Sequence, residues 1–447
     1  MSNILLISTN IAELPYPVYP LGMAVVAASL KAKGHQVEQF DWLAAKKSES
    51  QLRKAIRDFN PDYVGISLRN IDSLDSFGPE HGWYLAEVLS VTGIVKNETG
   101  APIIAGGSAF SIMPENILEY LDIPYGIVGE GEDALCRLIQ SIETGNHPPS
   151  IQYAESPLLS STQMLSPLFS KELIRFYESQ SGLVGLQSKR GCPHHCIYCT
   201  YPALEGRRLR IRNPKDVIED IRQLTERFGI KTIAFTDSVF NDASGHYLSI
   251  AEELLAGGIQ IRWSGFFRPS HIGIKELKLL KKSGLYAIEL GTDGACDETL
   301  KGLNKDFAFS DVIEFNEACV QLQIPCAHYI MFGGPRETPD TLKKGLQNIE
   351  KLNQCLVFAF SGIRVLPKTE LFAVAVDEGI VSTNETLLKP AYYFSPQIKV
   401  SWMNESIKNG FARRRDRIFP PSEGLMRIGV MTRFGFKGLL WDQLIRY

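Results

Sequence analysis

The sequence predicts an α/β chain: a doubly wound parallel sheet, then a partial (β/α)6 barrel, then a small, mostly helical C-terminal region. Three observations carry this. Short apolar runs alternate with segments of helical period over residues 1–145, and a second alternation of the same kind starts at residue 183. Strands alternating with helices bury both faces of a parallel sheet, so each series is one α/β unit. The third observation is an octet, Cys192-Pro193-His194-His195-Cys196-Ile197-Tyr198-Cys199, that follows the apolar run Leu183 to Leu186 and so lies on a loop at a strand end.

The totals agree with a globular chain. At 447 residues there is room for two or three domains, and 44% apolar with 22% charged residues is ordinary for packed cores. A formal net charge of −3 offers no general electrostatic attraction for nucleic acid or an anionic surface. The opening Met-Ser-Asn-Ile-Leu-Leu-Ile-Ser has no basic lead or cleavage site, and no apolar run reaches spanning length, so the expectation is a cytoplasmic protein with no membrane span. Of eight cysteines only Cys192, Cys196 and Cys199 cluster; a secreted disulfide framework would not look like that.

In the first unit, strands are expected at 3–8, 37–40, 63–68, 102–105 and 126–128, with helices at 21–33, 51–60, 83–95, 115–120 and 131–142. In open α/β sheets ligands bind at the carboxyl ends of the strands. Those ends carry Leu21 and Gly22 after a Pro-rich loop, then Ser67-Leu68-Arg69-Asn70, Gly106-Gly107-Ser108 and Gly129-Glu130-Gly131. Repeated glycines at strand ends let a bulky ligand approach the backbone. The absence of Gly-x-Gly-x-x-Gly after the first strand argues against a dinucleotide. Residues 146–182, rich in Ser and Pro around Thr144 to Ser150 and Ser156 to Ser166, read as a linker.

In the second unit, taken as 183–370, six strands are expected near 183–189, 231–236, 260–264, 286–290, 326–331 and 358–365. Their polar exits are the octet, Thr236-Asp237-Ser238, Phe267-Arg268, Glu289 to Asp293, Phe332-Gly333-Gly334-Pro335-Arg336-Glu337 and Arg364. Three thiolates hold three corners of a cubane cluster and leave one iron open; a zinc knot completed by His194 or His195 is the alternative. Convergent polar exits are an active-site arrangement and more than a structural knot needs.

The octet, with an aromatic before its last cysteine, resembles the signature of the radical S-adenosylmethionine enzymes, in which such cysteines hold a [4Fe–4S] cluster. The likeness runs over 183–370, and the Rossmann-like first unit is similar to the cobalamin-binding domain fused ahead of one branch of that superfamily. The resemblance implies Cys192, Cys196 and Cys199 as cluster ligands. It implies Tyr198, Asp237, Ser238, Arg268, Glu289, Gly333 and Gly334 around S-adenosylmethionine: Tyr198 at the adenine, Asp237 at the ammonium group, Arg268 at the carboxylate, Glu289 at the ribose. Cobalamin would meet Leu21, Gly22, Ser67, Leu68, Arg69, Asn70, Gly106, Gly107, Ser108, Gly129, Glu130 and Gly131. Two departures stand out: Asp-x-His-x-x-Gly is missing, His35 and His81 being the first unit's only histidines, so no histidine is expected on cobalt; and Thr236-Asp237-Ser238 replaces the usual Gly-Gly-Glu.

The implied activity is methyl transfer to an unactivated carbon of a small natural-product or lipid-type substrate, one S-adenosylmethionine methylating cobalamin and a second initiating radical chemistry; ring formation, ring contraction or rearrangement is the non-methylating alternative. Arg207, Arg208, Arg210 and Arg212 would be a solvated face or a docking patch for an acidic flavodoxin or ferredoxin, and Arg413 to Arg417 would grip substrate or be solvated. Aromatics in the C-terminal region, 371–447, would close the barrel and shape the pocket. A cobalamin sensor would leave the octet unexplained; a zinc-binding interaction protein would leave the polar exits unexplained. A methylthiotransferase needs a second N-terminal cysteine set, and Cys136 stands alone there.

Overall fold

The computed structural model describes residues 1–13, 15–78, 83–154, 158–412 and 414–445; His81, Ser156 and Arg413 lie outside these. The first sheet contains β1 (Asn3–Ser8), β2 (Gln36–Asp41), β3 (Tyr63–Ser67), β4 (Ile103–Gly106), β5 (Tyr125–Val128) and β6 (Ile151–Tyr153), in spatial order 2-1-3-4-5-6 and all parallel. Apolar β1 and β3 are central and buried on both faces, whereas β2, with Gln36, Glu38 and Gln39, flanks them. The strand order reverses between β1 and β3, and the crevice outside their carboxyl ends is where such sheets take ligands.

Helices α1 (Leu21–Ala32), α2 (Glu49–Phe59), α3 (Leu85–Glu98), α4 (Ser108–Ile112), α5 (Pro114–Leu121) and α6 (Gly131–Glu143) cover the sheet. Their composition follows their depth. α2 buries only Leu52 and Ile56 and starts at Ser48, whose hydroxyl accepts from the Gln51 N–H, while α1, packed against α6 as well as the sheet, buries six residues including Ser29.

The segment 146–182 is not a linker. Ile151–Tyr153 forms β6, and Lys171–Gln180 forms α7, capped by the Ser170 hydroxyl and burying Leu173, Ile174 and Tyr177. A three-residue edge strand carries no periodicity, but Ser170 followed by apolar residues at 173, 174 and 177 is a helix-start pattern hidden by the Pro-rich surroundings.

The second sheet winds in sequence order and stays open: β7 (Val184–Leu186), β8 (Thr232–Phe235), β9 (Arg262–Phe267), β10 (Leu285–Asp293), β11 (Cys326–Phe332), β12 (Leu356–Ser361) and β13 (Arg417–Ile418), every neighbouring pair parallel. Helices α8 (Pro214–Arg222), α9 (His246–Ala256), α10 (Ile274–Lys282), α11 (Phe309–Gln321) and α12 (Pro339–Ile349) lie outside it, with α13 (Glu370–Asp377) and α14 (Val400–Phe411) between β12 and β13 and α15 (Pro421–Arg433) and α16 (Trp441–Leu444) after β13. Six strands were expected; the seventh is two residues long and comes from the basic run near 413–417. Of its described arginines, Arg415 is exposed and the other two have partners within the protein. Arg414 pairs with Asp416 and Glu350, and Arg417 is buried, its guanidinium donating to the Ile349, Leu352 and Cys355 carbonyls at the end of α12.

The C-terminal region closes the barrel base. Leu439, Leu440, Trp441 and Leu444 pack with Ala287, Ala327, Phe358 and Ile418 of the inner barrel face, Trp441 edge-on to Phe358 with ring centroids 5.5 Å apart. Tyr16, from the Pro-rich loop of the first unit, joins the same cluster. The two units also meet through buried polar clasps: Asp72 with Arg364 at 2.9 Å, and the Tyr177 hydroxyl donating to Asp41 at 3.0 Å. No helix among the described residues is long and apolar enough to cross a membrane.

Candidate functional site

The octet sits on an excursion from β7 that is pinned at its base. Lys189–Arg190 pairs antiparallel with Arg210–Ile211, Glu205 accepts from the Gly191 N–H at 3.0 Å, and the Cys192 N–H donates to the Gly206 carbonyl. All three cysteines are free thiols. Burial pushes the Cys192 thiol up and the Cys199 thiol up to about 12, the neighbouring thiols adding to the rise, so assembling a cluster here displaces protons. Among the described residues no three His, Cys, Asp or Glu side chains are grouped to hold a single metal ion. The histidines are engaged elsewhere, His194 Nδ1 with Asp306 at 3.3 Å and His195 Nδ1 with Arg207 at 2.9 Å. Three thiols on one loop, with both histidines paired elsewhere, suit a cluster with one open iron better than a zinc knot.

A strap that sequence reasoning missed crosses this loop. Leu303 accepts from the Ile197 N–H, Asn304 donates to the His195 carbonyl, Lys305 reaches the Cys196 sulfur at 3.3 Å, and Asp306 pairs with Arg268 and His194. The charged run Asn304-Lys305-Asp306 was a visible signal, but only folding shows which residues it meets. Tyr198 is locked into the same network, its hydroxyl donating to Asp293 Oδ2 at 2.7 Å.

Several residues expected around S-adenosylmethionine prove to have other partners. Asp237 is 1% exposed and accepts from the Ser188 hydroxyl and the Ser188 and Lys189 N–H groups, with Lys189 alongside, so it fixes the β7 exit instead of offering a free carboxylate. Ser238 donates to the Gly191 carbonyl at 2.9 Å. Arg268, just past β9, is paired with Asp306, but among the described residues its buried Nε has no partner, nor has the buried hydroxyl of Ser264 on β9. Glu289 points into the barrel, where Tyr329 donates to it at 2.6 Å and Tyr16 also bonds it; burial raises its pKa from 4.5 to about 7. Gly333 and Gly334 serve internal packing, since a Cβ on either would meet Phe394 at 3.1 Å or Ile363 at 2.9 Å.

The rim of the first sheet is better matched. Ser67, Arg69, Asn70, Gly106, Gly107 and Ser108 gather at the ends of β3 and β4, where the Ser108 hydroxyl donates to the Arg69 carbonyl at 2.6 Å. Leu68 is buried and its carbonyl accepts from Ala109; Gly107 has φ +99°, and a Cβ there would lie 2.4 Å from that carbonyl oxygen, so only glycine keeps the turn. Open space lies beside Gly22, next to Leu21 at the start of α1, and Arg69 is exposed. Asn70 Oδ1 and the Nδ2 of buried Asn10, which follow β3 and β1 at the strand-order reversal, have no partner among the described residues. Orphaned polar atoms flanking an open rim fit a large polar ligand such as cobalamin. Asn10 had no motif to reveal it. Gly129 holds φ +86° and donates to Ser111, and Gly131 packs toward Val26. Glu130, two residues past the end of β5, has its carboxylate taken up by Arg190 at 2.9 Å and Arg210 at 2.8 Å. His35 precedes β2, at the opposite end of the sheet.

The two sites are neighbours: the short helix Tyr201–Glu205 that follows Cys199 packs on α4, which starts at Ser108. Comparison with known proteins names the two units that carry them. A family model for the B12 binding domain matches residues 7–139, and one for the Radical SAM superfamily matches 186–348. An uncharacterized methyltransferase of Pyrococcus horikoshii is 24% identical over 405 residues, 85% of this chain and 85% of that one. The tryptophan 2-C-methyltransferase of Streptomyces laurentii is 22% identical over 428 residues, 78% of this chain and 71% of that one. In fold, the chain is similar to the radical S-adenosylmethionine methyltransferase TsrM from Kitasatospora setae, solved with cobalamin and a [4Fe-4S] cluster bound, at a TM-score of 0.86 and 21% identity over 99% of this chain and 97% of that one. The protein thus belongs to the radical S-adenosylmethionine enzymes that carry an N-terminal B12-binding domain.

Proposed function

We propose that the protein is a cobalamin-dependent radical S-adenosylmethionine C-methyltransferase acting on an unactivated carbon of a small natural-product or lipid-type substrate. The observation that carries this is the contact between the cysteine loop's helix and α4: it brings the thiols beside the Gly106–Ser108 rim, and two reagents must reach one substrate atom. When bound, the cluster supplies an electron to S-adenosylmethionine and cobalamin supplies a transferable methyl group. Cys192, Cys196 and Cys199 hold the cluster, and Asn10, Asn70 and the rim from Ser67 to Ser108 receive the corrin. The buried Nε of Arg268 and hydroxyl of Ser264 are free to bind S-adenosylmethionine, Arg268 turning from exposed Asp306 to the ligand's carboxylate.

The electron comes from an acidic flavodoxin- or ferredoxin-type protein over the face bearing Arg207, Arg208 and Lys368, all exposed and without acidic partners among the described residues. Arg207 and Lys368 line a cleft that reaches Cys196 and Cys199. Arg210 and Arg212 are not part of that face, being paired with Glu130 and Asp220.

The test is anaerobic reconstitution with iron and sulfide, then incubation with cobalamin, a reductant, candidate substrates and S-adenosylmethionine labelled in its methyl group. Labelled product with both S-adenosylhomocysteine and 5′-deoxyadenosine is expected; deoxyadenosine with product lacking the label would replace methylation by a rearrangement. Cys196→Ala should lose the cluster's absorbance while still binding cobalamin, and loss of both would contradict separate sites.

A further inference from the structure

Two lysines of this chain are almost completely buried around the cysteine loop, and they do different work. Lys189 is absorbed by the scaffold, donating to the Phe240 carbonyl and Asp242 at 2.6 and 2.7 Å. Lys305, its side chain 5% exposed, ends at the loop itself. Its ammonium lies 3.3 Å from the Cys196 sulfur and 3.4 Å from the Tyr198 hydroxyl, and it forms an ion pair with Asp293. Asp293 in turn accepts from Tyr198, so the ammonium is held in place by a carboxylate that is itself oriented. An ammonium needs several acceptors when it is buried. Here one of them is a thiol sulfur that the proposed function makes a cluster ligand.

We propose that Lys305 sets the reduction potential of the cluster, by donating a hydrogen bond to the Cys196 sulfur. This rests on the cluster reading above. Reduction adds one electron to the cluster and makes its iron–sulfur core and thiolate ligands more negative, while no bond to Lys305 forms or breaks and no proton moves. A donor aimed at a ligand sulfur stabilises that added charge, and hydrogen bonds to sulfur are among the levers that set such potentials. Asp293 neutralises the ammonium's net charge, so the effect is local and directional: what reaches the cluster is the N–H group. Removing Lys305 takes away the donor and also exposes the Asp293 carboxylate to the cluster, and both changes disfavour reduction. Asp293 is therefore the control.

The experiment is an anaerobic redox titration of the reconstituted full-length protein, with dithionite as the electron source and the reduced cluster followed by electron paramagnetic resonance. In K305M, which keeps the length of the side chain and has no N–H donor, the midpoint should fall by about a tenfold loss in the reduction equilibrium, which is 59 mV for a one-electron couple. K305R, which keeps a charged donor, should stay near the wild type, and D293N/K305M should retain most of the fall. An unchanged midpoint in K305M overturns the proposal, and so does a wild-type midpoint in the double variant, which would assign the effect to the Asp293 charge. Equilibrium dialysis with S-adenosylmethionine provides a further check: weakened binding in K305M with an unmoved midpoint would make Lys305 a ligand of the substrate. Iron loss from both K305M and K305R would make it an assembly residue and overturn the tuning role. A wild-type protein that assembles no cluster breaks the proposed function itself, a result separate from all of these.

Discussion

Glu289 shows how much a single buried carboxyl governs this barrel. It is 3% exposed, faces two tyrosine hydroxyls and, among the described residues, no cation, and burial lifts its pKa from 4.5 to about 7. The folded chain thus binds a proton that the unfolded chain has released over the window between those two values. Stability falls as pH rises through that window, and above it the penalty is full, about 3 kcal/mol. Glu289→Gln keeps an acceptor for Tyr329 and removes the ionisation. Its melting temperature should exceed that of the wild type at pH 8 and converge with it near pH 4.5. Thermal unfolding at the two pH values checks this, and a constant difference would contradict the linkage. The cysteines were legible because their meaning lies in local spacing. Asp237, Arg268 and Glu130 were legible as strand-end polar residues but not by role, since their partners Ser188, Asp306 and Arg190 come from other segments. Lys305 was illegible for the same reason: it matters through a sulfur on another loop.

Among the elements, the start of α6 bears the most strain if disturbed. Glu130 immediately precedes that helix, and its carboxylate binds Arg190 and Arg210, both 11% exposed, and the Leu159 N–H at 3.0 Å. Glu132 also pairs with Arg190 at 2.6 Å, so the first sheet grips the base of the cysteine loop through two carboxylates and two guanidiniums. Replacing Glu130 by Ala leaves Arg210 with carbonyl partners only and Arg190 with one carboxylate. Breaking a buried pair from one side costs about 3–5 kcal/mol, because a desolvated charge is left behind. Glu130→Ala should unfold at distinctly lower denaturant concentration, and Glu130→Ala with a wild-type midpoint would show the clasp to be neutral. Long elements with clear period, such as β1, α2 and β10, were readable within a few residues. β6 and β13, of three and two residues, were not, because pairing with a neighbour and not their own pattern makes them strands.

At the scale of the molecule, the two α/β units are not independent beads. One continuous core runs from Ile4 and Leu30 of the first unit through Tyr177 of α7 to Val184, Leu290 and Phe332 of the barrel. Sequence reading separated the units at a linker because it had no view of that packing. A shared core predicts one cooperative heat-unfolding transition. Trp441 tests it from the far end of the chain. The indole is 1% exposed beneath the barrel, packs on Phe358, and has an N–H without a partner, so truncation removes packing and no hydrogen bond. Trp441→Ala should cost about 3–5 kcal/mol through the cavity it leaves. Calorimetry should show that loss as a downward shift of the whole transition, with the first sheet melting together with the barrel although none of its strands touches the mutated floor. A second transition left at the wild-type temperature would mean that residues 1–153 fold on their own, and that Tyr16, Tyr177 and the ionic clasps only dock two finished domains.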